Sequence, residues 1–174
     1  MNTTVKVLKH PGIEIALRKD FYSKYDNLLK EAFDKANLNV FHHTIMSNYR
    51  EPGHKVSSFF SNEEWSEIYW TKFYANDPIE VACNSTSKQM GVGLSSWQLI
   101  DPSSECMETR IKVCKVRDGV AMSFKHANGL IENLVFGWKK FDINTLNPEK
   151  IKSLNELIAP IRQHHLLLVS NAIS

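Results

Sequence analysis

The sequence predicts an α+β fold, and three observations carry the prediction. Residues 119–138 contain two runs, GVAMSFKH and GLIENLVFGW, joined by the tight Ala127-Asn128-Gly129 turn. A second strand pair reads as LNVFHHTIMS (38–47) and KVSSFF (55–60), separated by the turn signal NYREPGH. Around these pairs, stretches near 20–36, 61–77, 101–116 and 148–172 repeat apolar residues at helical spacing.

Taken in order, residues 1–19 leave a short helix or strand open, interrupted by Pro11 and Gly12. Phe21, Tyr25, Leu28, Leu29, Ala32 and Phe33 share one stripe of the first helix, and Asp20 is placed to cap it. Ser61 or Asn62 caps the next, with Glu63 and Glu64 in the turn where the helix dipole favours acids. That helix stops before Asp77-Pro78, because a residue ahead of proline avoids helical backbone, and residues 79–84 extend the turn. Residues 85–100 are punctuated by Ser and Gly. Asp101-Pro102 then has the order of an acidic cap followed by a first-turn proline. The last helix keeps apolar residues at 151, 154, 158, 161 and 168, is interrupted by His165 and bends at Pro160. It packs on the sheet or forms a dimer seam.

The 119–138 pair is asymmetric. Val120, Met122, Phe124, Leu130, Leu134, Phe136 and Trp138 make one face bulky and suited to helices. Ala121, Ser123, Ile131, Asn133, Val135 and Gly137 leave the other face sparse, as beside a cavity or solvent.

Composition excludes several classes. The 174 residues are 43% hydrophobic and 23% charged, which suits one globular domain over 1–174 and not a disordered chain. A net charge of +2, with basic residues scattered, gives no electrostatic case for nucleic-acid binding. The densest basic group, Lys112, Lys115 and Arg117, reads as the solvated side of a helix. Cys83, Cys106 and Cys114 have no metal-like spacing and point to free thiols in a reducing, cytoplasmic compartment. No apolar run approaches the length of a membrane span, and the start lacks the apolar core of a secretory signal. The doublets His42-His43 and His164-His165 are poor metal clamps, since neighbours on a strand face opposite ways. No GxSxG, HExxH, P-loop or GxGxxG occurs. Neither an enzyme nor a cofactor or metal is expected.

The chemistry concentrates in SNEEWSEIYWTKFYANDP, residues 61–78. Trp65 and Tyr69, four apart, stack on one helix face about 6 Å apart along the axis. Ser61 joins them if the helix reaches it, and Asp77 follows eight residues after Tyr69. An indole N–H, a phenol and a carboxylate backed by apolar rings suit a small ligand with a carbonyl and an amide. The same pattern also fits an amphipathic helix with two buried aromatics.

Trp65, Tyr69, Asp77-Pro78, Trp97 and Gly119 occur in the order and at spacings similar to those of one family. The sequence resembles, over roughly residues 20–170, the autoinducer-binding domain of LuxR-type quorum-sensing regulators. The resemblance implies an α-β-α sandwich with a five-stranded antiparallel sheet, of the PAS/GAF-like sensor type. It implies an N-acyl-homoserine lactone, or a related amphipathic signal, between the sheet and the Trp65 helix. The Trp65 indole N–H would donate to the lactone carbonyl, Asp77 would accept from the amide N–H, Tyr69 would donate to the acyl carbonyl and Trp97 would wall off the lactone ring. Ser61 stands where many relatives have a second tyrosine, and Ser123 where they commonly have a proline. Asn133 and Val135 take positions that help line the pocket, with His42, Thr44 and Met46 contributed by the first strand.

No segment resembles the helix-turn-helix DNA-binding domain that follows in that family. The sequence is therefore expected to be either an excised sensor domain or a protein without its own DNA reader. Occupancy would be passed on through a homodimer or through a heterodimer with a LuxR-type regulator. The rival reading is an interaction protein that pairs with a full-length regulator and blocks it. A remoter one, a haem sensor, has His42 as its sole candidate ligand.

Overall fold

The structure, a computed structural model, describes residues 6–10, 13–17, 26–47, 54–83, 92–97, 100–101, 103–139 and 148–173. The elements run β1 (Lys6–His10), β2 (Ile13–Leu17), α1 (Asp26–Lys35), β3 (Val40–Met46), β4 (His54–Phe60) and α2 (Glu63–Ile68). A π-turn (Tyr69–Phe73) and a 3-10 turn (Tyr74–Asn76) lead from α2 into α3, residues 78–83. Then come β5 (Val92–Ser96), α4 (Glu105–Cys114), β6 (Asp118–Lys125), β7 (Ile131–Trp138) and α5 (Pro148–Ile173).

The strands form one sheet in the order β1-β2-β4-β3-β7-β6-β5, parallel between β2 and β4 and antiparallel elsewhere. It has seven strands where five were expected. The additional pair comes from residues 6–17, whose Pro11-Gly12 interruption separates two strands instead of ending a helix. The expected β3–β4 and β6–β7 pairs are both present. Gly129 takes a left-handed φ of 83°, which a residue without Cβ adopts at no steric cost, and Asn128 Oδ1 accepts from the Leu130 N–H.

Two cores lie on opposite faces of the sheet. Val120, Met122, Leu134, Phe136 and Trp138 pack against Ala32 of α1 and Leu154, Ile158 and Ile161 of α5. On the other face, Val40, Met46, Val56, Ala121 and Val135 meet the aromatic residues of α2 and its turns, with Ile79 and Cys83 of α3 and Cys106, Met107 and Cys114 of α4. The bulky face of β6–β7 thus carries the long last helix, and the sparse face carries the aromatic one. α5 continues through Pro160 to Ile173, and its stripe passes through His165, which is fully buried, to Val169.

Helix α4 begins later than the Asp101-Pro102 pattern indicated. Ser104 is its cap, accepting from the Met107 N–H at 3.3 Å. Asp101 instead accepts from both the N–H and the hydroxyl of Ser103, a local turn that competes with helix. Lys115, at φ 57°, ends the helix in left-handed backbone.

The α5 face of the sheet holds a buried polar chain. Glu132 is fully buried and receives Arg162 through Nε to Oε1 and Nη2 to Oε2, both at 2.8 Å. His43 Nε2 lies 3.0 Å from Glu132 Oε1, His165 Nδ1 lies 3.2 Å from His43 Nδ1, and Ser57 Oγ lies 2.8 Å from His165 Nε2. One tautomer set satisfies the chain with both rings neutral: His43 donates from Nε2 to the carboxylate, His165 donates from Nδ1 to His43, and Ser57 donates to His165. Burial lowers the His43 pKa, and hydrogen bonding and attraction to Glu132 offset this only in part. Burial raises that of Glu132, but Arg162 and His43 more than reverse it and hold the carboxyl well below its usual range. Sequence periodicity treated these histidines only as doublets or as an interruption.

A candidate ligand site between the sheet and the aromatic helix

Asn62, and not Ser61, caps α2, its side-chain oxygen accepting from the Trp65 N–H at 2.8 Å. Since α2 starts at Glu63, the helix does not reach Ser61. Ser61 is exposed, and its hydroxyl accepts from the Phe41 N–H at 3.0 Å. Together with the Ser61 N–H donating to the Phe41 carbonyl, this continues the β3–β4 pairing past Phe60.

Trp65 and Tyr69 do meet, with ring centroids 5.8 Å apart. Trp65 stacks on Phe73 at 5.9 Å, and Tyr69 lies 5.4 Å from Phe60. Trp65, Tyr69, Trp70, Phe73 and Tyr74 are all buried, so the π-turn accompanies an unusually broad aromatic face. Asp77 then caps α3, its Oδ1 accepting from the Ile79 N–H at 2.9 Å with Pro78 in the first turn.

Trp97 faces this helix across the layer. It lies against the backbone at Gly119 and Gly137, which are cross-strand partners. A Cβ at Gly119 would come within 2.4 Å of the Phe136 carbonyl oxygen and 2.6 Å of the Trp97 ring, while one at Gly137 would lie 2.8 Å from Val116 and 3.1 Å from Trp97. The glycine that opens β6 thereby forms half of a flat seat for an indole. Gly119→Ala is expected to destabilise by about 1–3 kcal/mol or more, and more than Gly137→Ala, because its main obstacle is backbone. Urea unfolding of the two variants checks the order.

The residue that ties the site together is Arg110 of α4. Its Nη2 donates to Asp77 Oδ2 at 2.6 Å, and both side chains are 2% exposed. The guanidinium carbon lies 4.9 Å from the Trp65 ring and 5.1 Å from the Trp97 ring, so the cation is sandwiched between two indoles. Burial lowers its pKa, but the charge of Asp77 more than offsets this, and the group stays protonated. Sequence reading passed over Arg110 because an arginine on an amphipathic helix reads as solvated. The available signal was its place on the buried stripe of Cys106, Met107 and Cys114.

Trp65, Tyr69, Asp77 and Trp97 are therefore gathered around one arginine. Thr44, Asn133 and Val135 lie beneath them on the inner sheet face, all buried, with Thr44 opposite Asn133 and His42 opposite Val135. His42 stacks on Phe60 at 4.2 Å, and burial, then the charge of Arg110, lowers its pKa well below the usual value. Burial raises the Tyr69 hydroxyl pKa, as does the nearby Glu80 carboxylate.

Several polar atoms in this layer are buried without a hydrogen-bond partner: Trp65 Nε1, Trp97 Nε1, Arg110 Nε, His42 Nε2, Ser58 Oγ and both amide atoms of Asn133. Folded proteins rarely leave such groups bare, since each costs about 1–3 kcal/mol. Burial pushes the thiols of Cys83 and Cys106 up to about 12 and that of Cys114 to about 11, which suits inert core thiols and not nucleophiles. Among the described residues, no group of three or more His, Cys, Asp or Glu is placed to hold a metal, and no helix is long and apolar enough to cross a membrane.

The fold has counterparts among solved structures. The fold is that of the autoinducer-binding domains of LuxR-type regulators. SdiA in complex with octanoyl-rac-glycerol matches with a TM-score of 0.64 at 16% identity, over 87% of this chain and 61% of that one. Escherichia coli SdiA in the space group P6522 gives 0.60 at 16% identity, over 83% and 61%. The N-acylhomoserine lactone-dependent LuxR-family transcription factor CepR2 from Burkholderia cenocepacia gives 0.55 at 13% identity, over 81% and 79%. The chain thus spans about three fifths of these two SdiA chains. No protein-family model matches the sequence, and no curated protein matches it.

Proposed function

We propose that the chain is a single small-molecule sensor domain that binds an N-acyl-homoserine lactone or a related amphipathic signal and, as a dimer in the cytoplasm, controls a transcriptional regulator in quorum sensing. The observation that carries this reading is the fully buried, unpartnered indole N–H of Trp65, whose ring lies against the Arg110 that Asp77 holds. Trp65 donates only, so it reads a carbonyl on the ligand head, and Tyr69 donates to the acyl carbonyl. Trp97 on its glycine seat covers the head, and Thr44, Asn133 and Val135 line the way towards the tail. Asp77, the intended acceptor for an amide N–H, already holds Arg110, so an amide ligand shares or displaces that contact.

Ligand binding stabilises the fold by about 2.7–4.1 kcal/mol at 100 to 1,000 times Kd. Thermal unfolding with acyl lactones and acyl glycerols of short to long chain is expected to show a rise in Tm, absent in Trp65→Phe. No shift with any of them contradicts the reading.

The arginine specifically favours one second reading. A site closed by its own cation needs no ligand, which suits a stand-alone protein that heterodimerises with and inhibits a full-length regulator. Co-purification with such a regulator, together with a Tm indifferent to every ligand, selects it.

A further inference from the structure

The inner face of the sheet carries a row of polar side chains that the head-group residues do not explain. Ser58 on β4 lies opposite Thr44 on β3, Thr44 opposite Asn133 on β7, and Asn133 opposite Ser123 on β6. Their exposures are 1%, 3%, 5% and 0%. Four adjacent strands therefore place hydroxyl or amide groups side by side, over a width of roughly 14 Å at the usual strand spacing.

The rows on either side are largely apolar. Towards Trp97 lie Phe60, His42, Val135 and Ala121, and on the far side lie Val56, Met46 and Ile131. Within the polar row, Ser58 Oγ and both Asn133 amide atoms have no hydrogen-bond partner. Asn133 is four residues along β7 from Gly137, the seat of Trp97, which puts it roughly 14 Å along the strand from that seat. A plain alkyl tail lying here would leave Ser58 Oγ and the Asn133 amide without partners.

We propose that Ser58, Thr44, Asn133 and Ser123 form a second polar subsite for a hydroxyl, phenol or carbonyl at the end of the ligand remote from Trp97. The proposal rests on reading this layer as the ligand chamber and adds the class of tail. The natural ligand is then polar at both ends and apolar between them. Asn133 supplies both a donor and an acceptor, and the Ser58 hydroxyl either one, so the row satisfies a hydroxyl in both of its roles.

The test is calorimetric titration of the purified chain with matched pairs. These are 1-octanoylglycerol against 1-(8-hydroxyoctanoyl)glycerol, and N-octanoyl-homoserine lactone against its 8-hydroxyoctanoyl counterpart. The hydroxylated tail is expected to bind roughly tenfold or more tightly on whichever head binds, because it fills groups otherwise left unpaired. Asn133→Leu is expected to abolish or invert that preference. A plain tail that binds the wild-type chain as tightly as the hydroxylated one overturns the second subsite alone, and this comparison needs no variant. If no tail binds on either head, the reading of the chamber fails and takes the subsite with it.

Discussion

Arg110→Met is expected to lower the unfolding free energy by about 3–5 kcal/mol, because it leaves the buried Asp77 carboxylate without its counter-charge. For a chain of this size that corresponds to a Tm lower by roughly 6–20 °C. Part of the loss is dispersion and cation–π contact with Trp65 and Trp97. Adding Asp77→Asn removes the stranded charge and keeps an oxygen for the Ile79 N–H, so the double variant should lose far less than the sum of the singles. The same change bears on ligands. With the arginine gone, Asp77 Oδ2 is open to an amide N–H, and space is freed between the two indoles. Acyl lactones should therefore bind Arg110→Met more tightly than the wild type, at a temperature where both are folded. Urea unfolding and titration of the pair check both parts. A loss below about 1 kcal/mol would contradict the buried ion pair.

The second large effect is on acid stability, through the chain of Ser57, His165, His43, Glu132 and Arg162. His43 has its pKa lowered in the folded state, so it takes up a proton more readily when unfolded. Its contribution is full above the unfolded value of about 6.5 and is lost as the pH falls through the range below it. Protonation would also require His165 to switch tautomer, accepting at Nδ1 from His43 and donating from Nε2 to Ser57. Glu132 acts in the same direction at lower pH. Its folded pKa is depressed, so its contribution is full above about 4.5 and disappears as the pH falls further. Each group adds a slope of up to about 1.4 kcal/mol per pH unit within its window. Stability measured by urea unfolding should therefore decline steadily from pH 7 to 4, and His43→Gln should flatten the upper part. Glu132→Gln at pH 7 should cost about 3–5 kcal/mol by leaving Arg162 without its counter-charge. Constant or rising stability from pH 7 to 5 would contradict this assignment.

What the sequence made legible was periodic and local. The β6–β7 alternation showed which face takes helices, because packing on a sheet has the two-residue period of the chain itself. The four-residue spacing of Trp65 and Tyr69 placed both on one helix face. What stayed hidden was buried charge. Arg110, Glu132 and Arg162 look like solvated residues when each element is read alone, since the partner that permits burial lies far along the chain. Asp77 was identified as an acceptor, but the donor that it holds in this fold is a side chain 33 positions away. Of the two caps that the sequence left open, Ser61 and Asn62, the fold uses Asn62, so the helix does not reach Ser61. The strands β1 and β2 were left open because two five-residue runs around Pro11-Gly12 are too short for periodicity to separate helix from strand.

The unpartnered polar atoms and the buried arginine share a location, and they divide the molecule into a closed face and a receptive one. Glu132 and its partners fasten α5 to one side of the sheet with their charges mutually satisfied. The opposite side, under α2 and α4, retains indole, guanidinium and amide groups with bonds still to make. Native mass spectrometry of the purified chain, titrated with the acyl lactones and acyl glycerols, tests that receptive face most directly. The expected result is a one-to-one complex with at least one of them, lost in Trp65→Phe. A chain that remains unliganded across the whole series, or a complex equally abundant in Trp65→Phe, would contradict it.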